Sequence, residues 1–593
     1  MKRIFIALMI CLFPAFGRAA DFADQVDLKP LGTLEIQHLQ TLKTLDTFAR
    51  QTMSAIHDRS SGLGDHPALY TVLDLSFRPE HYADQKIIRI RNVPLRQDFV
   101  QFPDGQQILH DGMVSPSFLS SEPVQTRMAQ AQATANFKAD AIGQVLGAAN
   151  TVSALSQADM PLFRVIAPPD EESIWHNFGE VSGNVPLFVD VVHQNGGTVP
   201  APVDGYRATS LSHLIDAHAA MFRLREAWRN QDATAANREI AALAAALPQI
   251  NPARYPSLAK REVEVLYNRC LMLTIPAAMF YFSAFVLFLM SARSGIGSLR
   301  LWGLRLIGIA WLIHLTGIVI RWWLVSTSVG NFFESIPIKN QFESVLMSAF
   351  FGVTVGLLLE LRKSRGIFGA AASFVGCLSL VAIFAAPLVF GRQIGGEIGQ
   401  VNGVLMSYWL YIHVTMVTAS YSLITMGFCL SLWWLIRYYR GTEKVTLDPD
   451  YLPMSSSGDV AAIGITSTLA RMLFVPATRR IEIASATEAR RSFLQTLDAC
   501  NLVVLQLAFW TLGAGIVCGA IWADQSWGRP WGWDPKETFA LVTWIVYLIV
   551  VHVRVATDDK AWWTAVLSVI GFGVMLFNWI GVNFFLVGLH SYA

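Results

Sequence analysis

The chain has 593 residues, of which 53% are hydrophobic and 15% are charged, so it exceeds one ordinary domain and is poorer in charge than most soluble proteins. Its formal net charge of +1 gives no electrostatic reason to expect a nucleic acid as a partner. Six cysteines occur without a C-x-x-C pair, which argues against a disulfide framework, a thiol oxidoreductase and a C-x-x-C-H haem attachment site. The composition predicts a membrane protein with at least two structural units.

Residues 1–20 have the pattern of a secretory signal peptide. Lys2 and Arg3 form a basic start, an apolar stretch runs from Ile4 to Phe16, and Gly17-Arg18-Ala19 resembles a cleavage site. An uncleaved membrane anchor is the alternative interpretation. Either one delivers the residues that follow to the outer side of the membrane.

Residues 21–265 are predicted to form a mostly helical soluble domain on that side. Amphipathic helical periodicity extends from Arg127 to Ala154 and from Ser210 to Leu247. Two shorter stretches, Leu69 to Phe77 and Lys86 to Ile90, are interpreted as candidate strands.

Residues 266–593 contain eight apolar stretches, each about 20 residues long and therefore able to cross a bilayer as a helix. They fall near 268–290, 301–325, 342–361, 368–390, 405–436, 500–522, 538–556 and 563–587. Lys and Arg are concentrated in the odd-numbered loops between them, which the positive-inside rule makes cytoplasmic. The predicted fold class is an all-α polytopic membrane protein of the bacterial inner membrane, preceded by a periplasmic soluble domain and ending in the periplasm.

The external loop at 524–537 is the most informative segment, and it is unusually rich in tryptophan. Its side chains suit a large flat ligand that carries carboxylates, because indoles can stack, glycines allow close approach and cations pair with anions. Haem, a planar macrocycle with propionates, is such a ligand. An ordinary interfacial aromatic belt is the alternative. The residues singled out are Trp527, Gly528, Arg529, Trp531, Trp533 and Asp534.

Four histidines fall in the membrane half, where an ionisable group is expensive and where imidazole is a common axial ligand of haem iron. His413 and His590 are expected at the same face as the tryptophan-rich loop; the alternative is a pair of interfacial histidines bonded to backbone or water. With a rise of 1.5 Å per residue, His314 is expected roughly 20 Å from the cytoplasmic end of its helix and His552 about 6 Å. This difference disfavours one shared iron, and a polar residue packed between helices is the alternative for His314.

The run W-G-x-x-W-x-W-D at Trp527 to Asp534 resembles the signature of the tryptophan-rich haem-handling proteins of cytochrome c biogenesis. The following residues Pro535 to Thr538 and the ending Gly588 to Tyr592 are similar to the CcsA (ResC-like) family of the system II cytochrome c synthetase. The resemblance covers about residues 268–593. Leu45 to Arg50 resembles a soluble extension that precedes CcsA in some bacteria.

This resemblance implies that haem b is the substrate, delivered across the membrane and presented to the C-x-x-C-H thiols of apocytochrome c. It implies iron ligation by His413 and His590 beneath the tryptophan-rich loop, and a transmembrane haem site at His552 with His314 as a candidate second ligand. The family's run P-x-x-N-x-Y/F-E-S matches Pro337 to Ser344, whose Asn and Glu are expected to cap a helix. It assigns no catalytic residue.

Three alternatives stay open. The chain is a haem exporter or chaperone that needs a CcsB/ResB-like membrane subunit for ligation, because segments like those of CcsB were not recognised in it. The second alternative is membership of the related CcmC or CcmF branches. The third is a transporter of an unrelated substrate. The resemblance implies haem, apocytochrome c, a CcsB/ResB-like subunit, thiol-reducing proteins and the lipid bilayer as partners, and makes the chain a component of a thioether-forming haem lyase.

Overall fold

A computed structural model describes most of the chain, which divides into two compact units, Met1–Asn268 and Arg269–Ala593. The predicted signal peptide at 1–20 and His590 lie outside the described residues. The described ranges are 21–39, 41–134, 136–157, 160–169, 174–182, 208–329, 335–363, 366–390, 396, 407–440, 486–582 and 586.

The first unit is mostly helical, as predicted, and its described residues include two short antiparallel sheets of two strands each. Its strands are β1 (Glu35–His38) paired with β2 (Thr41–Thr44), and β3 (Ile88–Arg89) paired with β4 (Met113–Val114). Its helices are α1 (Phe22–Gln25), α2 (Lys29–Gly32), α3 (Leu45–His57), α4 (Ala68–Phe77), α5 (Val93–Gln97), α6 (Gly105–Asp111), α7 (Pro116–Ser120), α8 (Glu122–Thr134), α9 (Asn136–Leu155), α10 (Phe178–Ser182), α11 (Ala208–Arg229), α12 (Ala233–Ile250) and α13 (Leu258–Arg269).

The strand predicted from Leu69 to Phe77 is wrong, because these residues form helix α4. Every residue of α4 is buried, so its apolar residues follow neither the two-residue period of a half-buried strand nor the 3.6-residue period of an amphipathic helix. The buried Asp74 in α4 accepts hydrogen bonds from Trp228 Nε1 and from the Tyr82 hydroxyl, each at 2.7 Å. The strand predicted from Lys86 to Ile90 is confirmed only at its centre, as β3.

Both long helical predictions in the first unit are confirmed. The described residues from Arg127 to Ala154 fall within α8 and α9, and Ser210 to Leu247 falls within α11 and α12. The break between α11 and α12 follows from local chemistry. Gln231 has a left-handed φ of 55°, and the Asp232 side chain accepts from the Ala235 N–H as the N-cap of α12.

Helix α13 is attached to the first hairpin through buried polar groups. The Glu264 carboxylate accepts from the backbone N–H and the hydroxyl of Thr44, at 2.8 and 2.9 Å. Glu35 is completely buried, and neither of its carboxylate oxygens has a hydrogen-bond partner among the described residues. Burial, reinforced by the neighbouring Glu264, raises the pKa of Glu35 to about 8.

In the part of the second unit that the structure describes, a bundle contains eight long apolar helices, which confirms the predicted number of spans. Each is long enough to cross a bilayer and to satisfy its own backbone there. The helices are α14 (Thr274–Ser294), α15 (Gly297–Val329), α16 (Gln341–Lys363), α17 (Ile367–Phe390), α18 (Tyr408–Tyr439), α19 (Ala486–Trp527), α20 (Pro535–Ala556) and α21 (Lys560–Leu576), with a π-helical turn at Phe577–Gly581.

Buried ion pairs connect consecutive helices of the bundle. Arg321 on α15 pairs with Glu343 on α16 at 2.7 Å, and both side chains are almost fully buried. Arg554 on α20 makes a bidentate pair with Asp498 on α19, at 2.7 and 2.8 Å. Such charges are costly in a bilayer unless they are paired, so these contacts restrict how the helices pack.

The predicted cap at the start of α16 is confirmed. The Asn340 side chain accepts from the Glu343 N–H at 2.9 Å, and the Glu343 carboxylate accepts from the Lys339 N–H at 2.7 Å. Because the same carboxylate pairs with Arg321, the cap also connects α16 to α15.

Candidate functional site

The second unit contains a cavity of about 360 Å³ at the end of the bundle where α16, α18 and α20 begin and α19 ends. We call it the loop cavity, because part of the tryptophan-rich loop lines it. Helix α18 contributes one face of its N-terminal half, from Leu410 to Tyr421. Residues from other segments also line the cavity, among them Lys339, Gln341, Gly519, Trp522, Trp527, Trp531, Lys536, Glu537, Asn578 and Trp579.

His413 lines the loop cavity in an orientation fixed by α19. Its Nδ1 lies 2.8 Å from the carbonyl oxygen of Gly515, which can only accept, so Nδ1 carries the proton. In the neutral imidazole the lone pair is then on Nε2. A histidine that ligates a metal commonly donates its other ring N–H to a backbone carbonyl in this way.

Helix α19 also provides space for the His413 ring. A Cβ atom at Gly519 would lie only 2.6 Å from the Cε1 and Nδ1 atoms of His413, so only glycine accommodates this ring position. The Trp522 ring lies nearly parallel to the imidazole, with an interplanar angle of 10° and a centroid distance of 6.1 Å. Gly519 and Trp522 therefore confine the histidine between helices.

The predicted tryptophans have different positions. Trp527 and Trp531 line the loop cavity, and Trp527 contacts Trp522 edge-on at 4.9 Å. Trp533 is 70% exposed, does not line the cavity, and contacts Trp531 at a centroid distance of 5.8 Å. The Nε1 atom of Trp531 is buried and has no hydrogen-bond partner among the described residues, so it is a donor available to a ligand.

The other predicted loop residues shape the backbone. Gly528 has a left-handed φ of 68°, which favours glycine. Arg529 lies against Gly532, where a Cβ atom would be 2.8 Å from its guanidinium carbon. Neither Gly528 nor Arg529 is among the residues that line the loop cavity.

Asp534 and Glu537 form a capping box at the start of α20. The Asp534 side chain accepts from the Lys536 N–H at 3.1 Å. Glu537 accepts from the N–H groups of Gly532 and Asp534 at 2.8 and 3.2 Å. These bonds hold the loop next to the cavity, and they give Asp534 a capping role at the end of the loop.

His314 and His552 are in contrasting environments. His314 is 2% exposed, with Nδ1 3.3 Å from the Tyr281 hydroxyl and Nε2 3.2 Å from the Leu346 carbonyl oxygen. Both of its ring nitrogens therefore have protein partners on α14 and α16. His552 is exposed on the surface of α20, and its Nδ1 lies 2.7 Å from the Leu548 carbonyl oxygen one turn earlier.

Sequence patterns did not identify the residues at the deep end of the cavity. Asn578 is fully buried, and its Nδ2 donates to the Tyr421 hydroxyl at 2.8 Å. Trp579 Nε1 donates to Gln341 at 3.2 Å, and the Trp579 and Tyr421 rings lie 5.1 Å apart. Isolated Tyr, Asn and Gln residues in apolar helices form no motif, so the only available signal was their polarity in a membrane segment.

The side chains around the loop cavity suit an aromatic ligand with negative charge at its edge. Trp522, Trp527 and Trp531 supply aromatic surface, and Lys339 and Lys536 supply positive charge. The N-termini of α16 and α20, which favour anions, also lie at this cavity. Among the residues that the structure describes, no cluster of three or more His, Cys, Asp or Glu could hold a metal ion.

Comparison with known proteins gives a consistent set of matches. Residues 338–590 match the cytochrome C assembly protein family, and this range includes every residue that lines the loop cavity. A cytochrome c biogenesis protein CcsA of Trieres chinensis is 32% identical over 259 residues, which are 43% of this chain and 78% of that protein. The CcsA of Synechococcus sp. strain CC9605 is 31% identical over 53% of this chain and 95% of its own length. The CcsA of Parasynechococcus marenigrum strain WH8102 is 32% identical over 54% of this chain and 92% of its own length.

Proposed function

This chain belongs to the CcsA family of cytochrome c biogenesis proteins, and we propose that it delivers haem across the membrane and presents it for attachment to apocytochrome c. Its role in cytochrome c biogenesis follows from the family. The proposal adds that haem b is the substrate, that the loop cavity is the presentation site, and that the cavity opens at the periplasmic face of the bacterial inner membrane.

The geometry of His413 carries this proposal. Its Nδ1–H donates to Gly515, which leaves the ring lone pair on Nε2, and His413 lines the same cavity as the tryptophans. We propose His590 as the second axial ligand, on the family resemblance alone. Two histidine ligands would occupy both axial positions and thereby disfavour reaction of the iron with oxygen.

The chemistry of attachment requires positioning more than catalysis by a side chain. Each cysteine thiol of the apocytochrome adds across a vinyl group of haem, so that sulfur bonds to one carbon and the proton goes to the other. No electrons are exchanged in this step, although the thiols must arrive reduced from a separate thiol-reducing protein. The protein holds the macrocycle, orients its vinyl edge and limits access to the iron.

We propose His552 as a ligand at an earlier haem site on α20. An exposed imidazole on a membrane helix is energetically costly, so its presence indicates a function or a covering protein. A helix of a CcsB/ResB-like subunit packed on this face would cover His552 and could supply a second ligand. The protein partners of both His314 nitrogens favour packing over haem ligation for His314.

An exporter or chaperone without ligation activity of its own is the second candidate function. The exposure of His552 favours it, because it is consistent with an incomplete site on this chain alone. Co-expression with an apocytochrome, with and without a CcsB/ResB-like protein, separates the two. Covalent product from this chain alone would exclude the exporter interpretation, and product only with the partner would favour it.

The test of haem presentation is the absorption spectrum of the purified full chain in oxidised and reduced forms. We expect a bis-histidine spectrum that is lost in His413→Ala and recovered when imidazole is added. His552→Ala should lower haem occupancy without changing the remaining spectrum, and His314→Gln should preserve the spectrum. A wild-type spectrum in His413→Ala would contradict the proposal.

A further inference from the structure

The deep end of the loop cavity contains a buried polar pair that the ligation scheme does not use. Tyr421 on α18 and Asn578 in the π-helical turn both line the cavity, and their side chains are joined at 2.8 Å. Asn578 is fully buried, yet its Oδ1 has no hydrogen-bond partner among the described residues. Turning the amide would pair Oδ1 with the Tyr421 hydroxyl and leave the amide N–H groups without an acceptor, so a ligand that accepts from these N–H groups would be stabilised.

The pair offers hydrogen-bond donors to the cavity in either orientation of the amide. With Nδ2 donating to Tyr421, the tyrosine hydrogen and the second amide hydrogen have no acceptor among the described residues. If the amide is turned, Oδ1 accepts from Tyr421 and both amide hydrogens remain. A ligand group that accepts two hydrogen bonds, such as a carboxylate, matches this arrangement better than a neutral apolar group.

The position of the pair relative to His413 is suited to one large ligand. Tyr421 follows His413 by eight residues on the same face of α18, a separation of about 12 Å along the helix axis. Both residues line the same cavity, so a porphyrin with its iron at His413 could extend its edge toward Tyr421. Lys339 and Lys536 line the same cavity, so a ligand with an anionic edge would be electrostatically favoured in it.

The π-helical turn explains how an asparagine reaches this position. The turn spans Phe577–Gly581 and follows α21 directly. A π turn changes the angular position of the residues it contains, and such turns are frequent at functional sites. Trp579 in the same turn is fixed by its bond to Gln341, so the turn is attached to α16 as well as to α18.

We propose that Tyr421 and Asn578 bind a propionate carboxylate of the haem and thereby set the rotation of the macrocycle about the iron–His413 axis. This proposal rests on the proposed function. A propionate held at the deep end directs the opposite, vinyl-bearing part of the ring toward the tryptophan-rich loop. Tyr421 and Asn578 are positioning residues in this scheme, because they fix the ring and take no part in thioether formation.

The test compares the affinity of the purified full chain for haem and for haem dimethyl ester, which lacks the carboxylates. Tyr421→Phe removes only the hydroxyl, and Asn578→Leu removes the amide. We expect each variant to bind haem about tenfold more weakly than the wild type. Each should lower the affinity for the dimethyl ester much less, because an ester carbonyl accepts a weaker hydrogen bond than a charged carboxylate.

Asn501→Leu is the matched control. Asn501 is 2% exposed in the same bundle, donates to Ser431 at 2.8 Å and has an Oδ1 without a partner among the described residues, but it does not line the cavity. It should affect neither affinity. Equal losses for haem and ester, or no loss in either variant, would overturn the propionate proposal, and the second result would indicate that the pair holds only water.

The two proposals fail in different ways. A wild-type chain that binds haem through His413, with unchanged affinity in Tyr421→Phe, would refute the propionate site alone. A wild-type chain that binds neither haem nor its ester, even with a CcsB/ResB-like protein present, would refute the proposed function and this inference with it.

Discussion

Replacing Gly519 by alanine tests whether the placement of His413, and not merely its presence, determines haem binding. A Cβ atom at this position would lie 2.6 Å from two atoms of the imidazole, whereas ordinary van der Waals contact begins at 3.4 Å. The ring must therefore move by about 0.8 Å, which exceeds the tolerance of about 0.5 Å within which a binding group has to be held.

The effect on folding should be small. Glycine to alanine inside a helix is favourable by about 1 kcal/mol, and loss of the hydrogen bond to Gly515 costs about the same. A displacement approaching 1 Å in a reactive complex can cost about 100-fold in rate. We therefore expect Gly519→Ala to express and fold normally, to lose most histidine-ligated haem, and to lower covalent cytochrome formation by about 100-fold.

Gly573→Ala is the matched control, because Gly573 lies in α21 of the same bundle and a Cβ atom there would meet nothing within 4 Å. Both variants are purified as full chains, and their haem content, spectra and thermal unfolding are measured in parallel. A wild-type spectrum in Gly519→Ala would refute the reasoning. A lower unfolding temperature in Gly519→Ala but not in Gly573→Ala would instead indicate that the clash disrupts helix packing.

Three further predictions address the rest of the molecule. Glu537→Ala removes the acceptor of two loop N–H groups, so limited proteolysis of the loop at 528–534 should become faster and haem affinity should fall; unchanged proteolysis would show that other contacts hold the loop. Burial raises the pKa of Glu35, so the folded state retains a proton that the unfolded state releases above pH 4.5. The free energy of unfolding therefore falls as the pH rises from 4.5 through about 8. Glu35→Gln should therefore make the first unit more stable than the wild type at pH 8 to 9 and reduce this pH dependence, as measured by hydrogen exchange of the full chain. Arg554→Leu or Asp498→Leu alone should destabilise the bundle by about 3–5 kcal/mol, and the double variant by much less, measured by thermal unfolding in detergent; additive losses would contradict the ion-pair argument.

The sequence could predict the features whose physical signal is local. Eight long apolar stretches predicted eight helices, because the bilayer requires both the length and the apolarity. The cap formed by Asn340 and Glu343 was predicted for a similar reason, since a helix start leaves N–H groups that these residue types satisfy. The prediction failed at α4, where complete burial removes the periodicity on which the choice between helix and strand depends.

The cavity depends on contacts between distant segments, which no local pattern encodes. Gly519 is one of many glycines in the chain, and only the position of His413 on another helix makes it essential. Asn578 and Tyr421 are 157 residues apart, and their bond depends on a π turn that has no sequence signature. The tryptophan motif indicated the segment that borders the cavity, but it did not distinguish Trp531, which lines the cavity, from the exposed Trp533.

The three described histidines of the membrane half show that environment assigns roles that residue type leaves open. His314 has partners on both nitrogens, His413 has its tautomer set by a carbonyl at a cavity, and His552 is exposed on α20. Among the eight described spans, α20 has the smallest fraction of buried residues in its most apolar stretch, 22%, compared with 61% for α18. Lipid can cover the apolar residues of such a face but cannot satisfy an imidazole, and this is the basis of the proposal that a partner helix covers His552.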